Sequence, residues 1–219
     1  MTGFTAALTR RGFLGVLALL MLAVQAMAAA PPRPALAPAD QADLQRIQAY
    51  LNSIKTVTGK FEQTNTDGSV SNGTIWLSRP GKMRFEYEAP TKTLVVSDGD
   101  FIEINDRNTD DIQFVPVKDT PAWLILRDGI TLSGDVTVTR FERGPKTFRV
   151  TLVQSDDQSN SSLVLVFSDD PLALRQWIVI DPQGQTTSVA LTDLQDAVSP
   201  GHCMFVLPDS EASKRNPCH

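Results

Sequence analysis

From Val57 onward the chain alternates apolar and polar residues with a period of two, and turn residues break the alternation at short intervals. A two-residue period is that of a half-buried strand. It predicts strands near residues 57–66, 72–79, 82–89, 93–98, 100–105 and 111–116, then 134–142, 146–154, 161–169, 173–181 and 184–193. The punctuation is Asp67-Gly68, Asn72-Gly73, Pro80-Gly81, Asp98-Gly99, Gly144-Pro145, Asp169-Asp170-Pro171 and Pro182-Gln183-Gly184. Links this short join antiparallel neighbours, because a parallel crossover needs a dozen or more residues. The pattern therefore specifies a mainly β chain, a meander of about eleven antiparallel strands with few helices.

Two segments break the strand period. Leu44, Ile47, Leu51 and Ile54 recur at three- and four-residue steps, which predicts an amphipathic helix from about Asp40 to Ile54. The second segment follows Thr120-Pro121, where Thr120 is expected to N-cap a helix beginning at Pro121. Ala122, Trp123, Leu124, Ile125 and Leu126 are apolar nearly all round, so this short helix needs cover on most sides.

Some strands alternate cleanly. Met83, Phe85 and Tyr87 share one face, with Arg84, Glu86 and Glu88 on the other. Leu94-Val95-Val96, Leu163 to Phe167 and Trp177 to Ile180 are apolar on both faces. Either these strands are covered on both sides, or the sheet curves around an apolar interior closed by the helices; periodicity does not choose between them.

The N-terminus reads as an address. Residues 1–28 carry Arg10 and Arg11, no acid, an apolar run from Phe13 to Val24, and Ala26-Met27-Ala28. The run is short for a membrane span, so a signal peptide cut after Ala28 is expected. Thr9-Arg10-Arg11-Gly12-Phe13-Leu14 also resembles a twin-arginine export signal, and Sec export remains the alternative. Either route places the protein in the periplasm. A Pro-rich leader at 29–39 is expected to precede the domain. In an oxidising compartment, Cys203 and Cys218 are expected to form a structural disulfide.

Composition removes several functions. Net charge is −5, and removal of residues 1–28 takes away basic residues alone, so phosphate-driven nucleic-acid binding is not expected. Both His and both Cys lie at or after His202, which leaves little material for a metal site or a His-based catalytic centre. The chain has no Gly-x-Ser-x-Gly and no phosphate loop, and the acidic pairs at its turns are explained by turn chemistry. No catalysis and no cofactor are expected.

The stretch Gly73-Thr74-Ile75-Trp76-Leu77-Ser78-Arg79-Pro80-Gly81-Lys82-Met83-Arg84-Phe85-Glu86-Tyr87 resembles the periplasmic lipoprotein carrier family, LolA. The likeness continues through Pro90 and Leu94-Val95-Val96-Ser97-Asp98-Gly99. Phe61-Glu62-Gln63 resembles the family's Phe-x-Gln, and Thr120-Pro121 with its apolar helix also matches. The match runs in order over about residues 40–195, and beyond Val198 it fades.

The resemblance implies an incomplete antiparallel β-barrel whose helices form a lid over a hydrophobic cavity, in a domain spanning 40–208 with a tail at 209–219. It implies a monomer that takes the acyl chains of lipoproteins released by an inner-membrane ABC transporter and delivers them to an outer-membrane receptor. By the same resemblance, Arg79 holds the lid closed, which suits a guanidinium facing helix-terminal carbonyls. The expected lid faces are Leu44, Ile47, Leu51 and Ile54 on one helix and Trp123, Leu124, Ile125 and Leu126 on the other. Met83, Phe85 and Tyr87 are the expected cavity wall. LolA-like lipid-sensing regulators and carriers of other lipids are the alternatives.

Overall fold

The computed structural model describes residues 36–155, 161–197 and 200–208, all within the unit Pro34–His219. The expected signal peptide, residues 29–35 of the leader and the tail at 209–219 lie outside the described residues.

All eleven expected strands form. They are Thr56–Asn65 (β1), Val70–Ser78 (β2), Lys82–Tyr87 (β3), Thr93–Asp98 (β4), Phe101–Asp106 (β5) and Asp111–Pro116 (β6), then Val136–Arg143 (β7), Thr147–Gln154 (β8), Ser162–Ser168 (β9), Ala173–Ile180 (β10) and Thr186–Asp196 (β11). They make one sheet in the order β6-β5-β4-β3-β2-β1-β11-β10-β9-β8-β7. Every adjacent pair is antiparallel. Hairpins generate both halves, and pairing of β1 with β11 joins them. The edge strands β6 and β7 do not pair, so the barrel is incomplete.

The sheet is strongly curved. Seven strand spacings separate β5 from β9, about 34 Å in a flat sheet. Yet Ile104 of β5 and Leu163 of β9 line one cavity. Phe85 of β3 and Trp177 of β10 meet edge to face across it, with ring centroids 6.0 Å apart.

The two-faced apolar strands have two explanations. Leu163, Leu165 and Phe167 point into the concave core. Leu94 and Val96 point outward and are covered by the C-terminal segment, where Leu207 packs on them and Arg84 Nη1 donates to the Met204 carbonyl at 3.1 Å. A 3-10 turn at His202–Phe205 lies in that segment. Cys203 is disulfide-bonded, and its expected partner Cys218 lies outside the described residues.

The first helix, Pro38–Ser53 (α1), starts earlier than expected, so Pro38 and Ala39 belong to it and not to the leader. Proline is favoured at that position because its missing N–H would have no helical partner there. The second helix is the single turn Trp123–Leu126 (α2), preceded by a 3-10 turn at Val117–Asp119. Thr120 does not cap it. Its hydroxyl donates backward to the Val117 carbonyl at 2.8 Å, closing the 3-10 turn instead.

α1 is tied firmly to one half of the sheet. Leu44, Ile47 and Leu51 are buried in the core. The Leu174 N–H donates to the Tyr50 hydroxyl at 3.0 Å, and the Leu132 N–H to Gln48 Oε1 at 2.9 Å. Asn52 exchanges two hydrogen bonds of 2.8 Å with the Ile130 backbone.

Asp43, buried on the same helix, pairs with Arg143 of β7 and with Arg46, whose other nitrogen reaches Asp169 at 3.2 Å. Burial acts to raise the Asp43 pKa, but hydrogen bonds and charge from Arg46 and Arg143 outweigh it and hold it below the usual 3.8. Its contribution to stability is thus complete above pH about 4 and is lost as pH falls through the lower folded value. Asp43→Ala is expected to lower Tm at neutral pH by about 3–6 °C. In a thermal-melt series, that difference should shrink below pH 4.

Candidate functional site

The inward face of β3 forms the wall of a cavity of about 270 Å³, lined by Met83, Phe85 and Tyr87. The hairpin registers extend that face. Phe85 pairs with Val95, Val95 with Ile104, and both partners line the space. Leu163, Trp177, Val179, Thr187 and Val189 form the facing wall, Leu77 and Ile102 extend the β2 to β5 side, and Ala122, Ile125 and Leu126 form the roof. The lining is apolar apart from Gln63, Tyr87 and Thr187.

An aromatic cluster sets the floor. Phe61 packs edge to face on Phe85 and Tyr87, with centroids 4.8 and 4.9 Å away. A side chain on Gly73 would put its Cβ 2.5 Å from the Phe61 ring and 2.1 Å from the Glu86 carbonyl oxygen, so only glycine leaves room for the ring.

The expected site residues divide. Met83, Phe85, Tyr87, Ile125 and Leu126 line the cavity. Leu51 and Leu124 instead line a separate narrow crevice beside Ile130 and Leu132. Leu44 and Ile47 pack in the core and Ile54 against it. Trp123 stacks under Arg127, with the guanidinium 4.4 Å from the ring centroid. An all-round apolar helix does not reveal which side faces the cavity, which is why the expected lid face of α2 was too broad.

The turn between β2 and β3 touches both helices. Arg79 Nη1 donates to the carbonyls of Leu51 and, at 3.2 Å, Ile54, both at the C-terminal end of α1. Such carbonyls have no partner within the helix, and the helix dipole favours a cation there. Two residues on, the Gly81 N–H donates to the Leu126 carbonyl of α2 at 2.8 Å.

The turn is held in place from below. Ser97, fully buried, donates from its hydroxyl to the Gly81 carbonyl at 2.7 Å. Gly81 has φ +78 and packs so closely on Gly99 that a Cβ would lie 2.5 Å from the Gly99 Cα. Arg-Pro-Gly-Lys and Ser-Asp-Gly, set side by side at the same end of the β3–β4 hairpin, are thus one structural unit.

Burial lowers the Arg79 pKa to about 10, with Asp128 acting in the opposite direction. Its Nε has no hydrogen-bond partner among the described residues. The side chain stays cationic at neutral pH, but its dehydration opposes the contact it makes. That cost is complete below pH about 10, and stability rises as pH climbs above that value, because the unfolded chain holds the proton to higher pH.

No cluster of three or more His, Cys, Asp or Glu side chains suited to a metal occurs among the described residues. A curved sheet around an apolar space, roofed by a helix turn, defines a binder of apolar ligands. The model of the outer membrane lipoprotein carrier protein LolA matches residues 52–207. The chain is 33% identical to an outer-membrane lipoprotein carrier protein of Chromohalobacter salexigens, over 74% of this chain and 80% of that one. It is 30% identical to the protein of the same name from Azotobacter vinelandii, covering 78% and 83%. A solved LolA superfamily protein from Nitrosomonas europaea superposes with a TM-score of 0.42 at 10% identity, over 75% of this chain and 97% of that one. The chain belongs to the LolA family of outer-membrane lipoprotein carriers.

Proposed function

We propose that this protein carries acylated lipoproteins through the periplasm, taking them from an inner-membrane releasing transporter and delivering them to an outer-membrane receptor, without chemistry on the cargo. The single observation that carries the reading is the apolar cavity under α2, in a chain whose relatives are named for lipoprotein carriage. Each exposed methylene costs about 0.8 kcal/mol in water, so several acyl chains hold an anchor in a bilayer by tens of kcal/mol. Spontaneous crossing of an aqueous gap is negligible on that scale, and a carrier must supply matching apolar surface. No helix among the described residues is long and apolar enough to cross a membrane.

The cavity volume supports a moving lid. A space of about 150 Å³ takes one benzene, so 270 Å³ takes about a dozen carbons, short of a single myristoyl chain. Cargo therefore requires expansion. α1 is bonded to the β7 to β10 half, whereas the Arg79-Pro80-Gly81 turn belongs to the opposite half. We assign Arg79 as the latch between them, with Ile125 and Leu126 as the lid surface over the cargo.

The test adds purified protein to spheroplasts making a labelled outer-membrane lipoprotein. A soluble one-to-one complex is the expected result. Cargo that stays on the membrane while the protein extracts another lipid would overturn the lipoprotein assignment.

A further inference from the structure

The cavity is polarised in a way that bears on which part of the cargo sits where. Beneath α2 its lining residues, Ile125, Leu126 and Met83, are buried and wholly apolar. At the opposite end of the space lie its three polar side chains, Gln63, Tyr87 and Thr187, each partly buried. Two of these polar side chains are already oriented. The Tyr87 hydroxyl donates to Gln63 Oε1 at 2.7 Å, and Gln63 Nε2 donates to Asn65 Oδ1 at 3.0 Å.

That chain fixes what remains for a ligand. An amide nitrogen has two hydrogens, and the Asn65 contact uses one of them. The other is the donor left to an incoming acceptor. The rings of Tyr87 and Phe61, 4.9 Å apart, hold the phenol against the apolar floor. Burial pushes the Tyr87 pKa up to about 12, so the hydroxyl stays protonated throughout the physiological range.

We propose that Gln63 and Tyr87 form a polar subsite at the end of the cavity away from α2 that binds the ester carbonyl of an acylated glycerol, setting how the acyl chains are placed. An ester carbonyl accepts hydrogen bonds and donates none, which fits the amide hydrogen left on Gln63. The hydrocarbon then runs from this polar end toward α2. This rests on the acyl-carrier reading above, and it adds the chemical class of the linkage: ester-linked chains are preferred over ether-linked chains of the same length.

The experiment measures binding of a short-chain diacylglycerol and of its dialkyl ether analogue to purified protein, by displacement of a fluorescent apolar probe. The usual net worth of a neutral hydrogen bond corresponds to about a five-fold change in affinity. Wild type should bind the ester about five-fold more tightly or better. Gln63→Leu should remove the preference, bringing the ratio of ester to ether affinity to about one. Tyr87→Phe, which keeps the ring packed on Phe61, should reduce the preference in the same direction. Equal affinity of wild type for ester and ether would overturn the subsite, as would equal loss of both ligands in Gln63→Leu and Tyr87→Phe. If wild type binds neither lipid and does not take up the probe, the acyl-carrier reading falls first and takes the subsite with it.

Discussion

Arg79→Leu is expected to leave the sheet folded, raise the affinity of the empty protein for an apolar probe by about ten-fold or more, and cut delivery of cargo to an acceptor. Two α1 carbonyls receive hydrogen bonds from this one guanidinium nitrogen. A hydrogen bond to a charged group is worth about 1.5–3 kcal/mol, and about 1.4 kcal/mol is a factor of ten in an equilibrium. Closing the empty lid competes with cargo, so weakening closure tightens binding and slows release. The latch remains openable because the dehydrated cation regains water on opening. Arg79→Lys keeps the charge with a shorter reach and no planar fork, and should fall between the two. Probe titration and a transfer assay on the three proteins provide the check; unchanged transfer in Arg79→Leu would remove the latch.

The other large effect is expected on the wall that β3, β4 and β5 share. Ile104→Glu should lower acyl-chain affinity by more than 100-fold, while Ile178→Glu on the outer face should change it by less than about two-fold. Ile104 is half-buried and lines the cavity, so its carboxylate stays hydrated in the empty protein. An acyl chain would displace that water and leave a charge in an apolar space, at a cost of several kcal/mol. Ile178 is also half-buried and apolar, but it pairs with Val164 and Ser188 on the face that does not line the cavity. Comparing the two separates loss of the cavity from a general loss of stability.

The strands were legible because alternation and turn residues are local signals, and Met83, Phe85 and Tyr87 shared a face by the two-residue period alone. Propagating that face through the hairpins would also have reached Val95 and Ile104, since short turns set their register. Trp177, Val179 and Thr187 were beyond reach. They face β3 only because β1 pairs with β11 and the sheet curls, which no neighbouring residue encodes. The approach of Gly81 to Gly99 follows from the same β3–β4 register, one step beyond the Lys82–Asp98 pair. The cover over Leu94 and Val96 comes from an aperiodic C-terminal segment, and nothing local marks Leu207 as its outer lid.

Residues 178 and 179 are adjacent on β10 and face opposite sides: Val179 lines the cavity and Ile178 does not. Placing a photoreactive side chain at each, and irradiating the soluble complex with a lipoprotein labelled in its acyl chains, tests directly where the cargo sits. Crosslinking at 179 and not at 178 is the expected result. Crosslinking mainly at 178, or at neither position while the complex remains soluble, would contradict the placement of acyl chains inside the curved sheet.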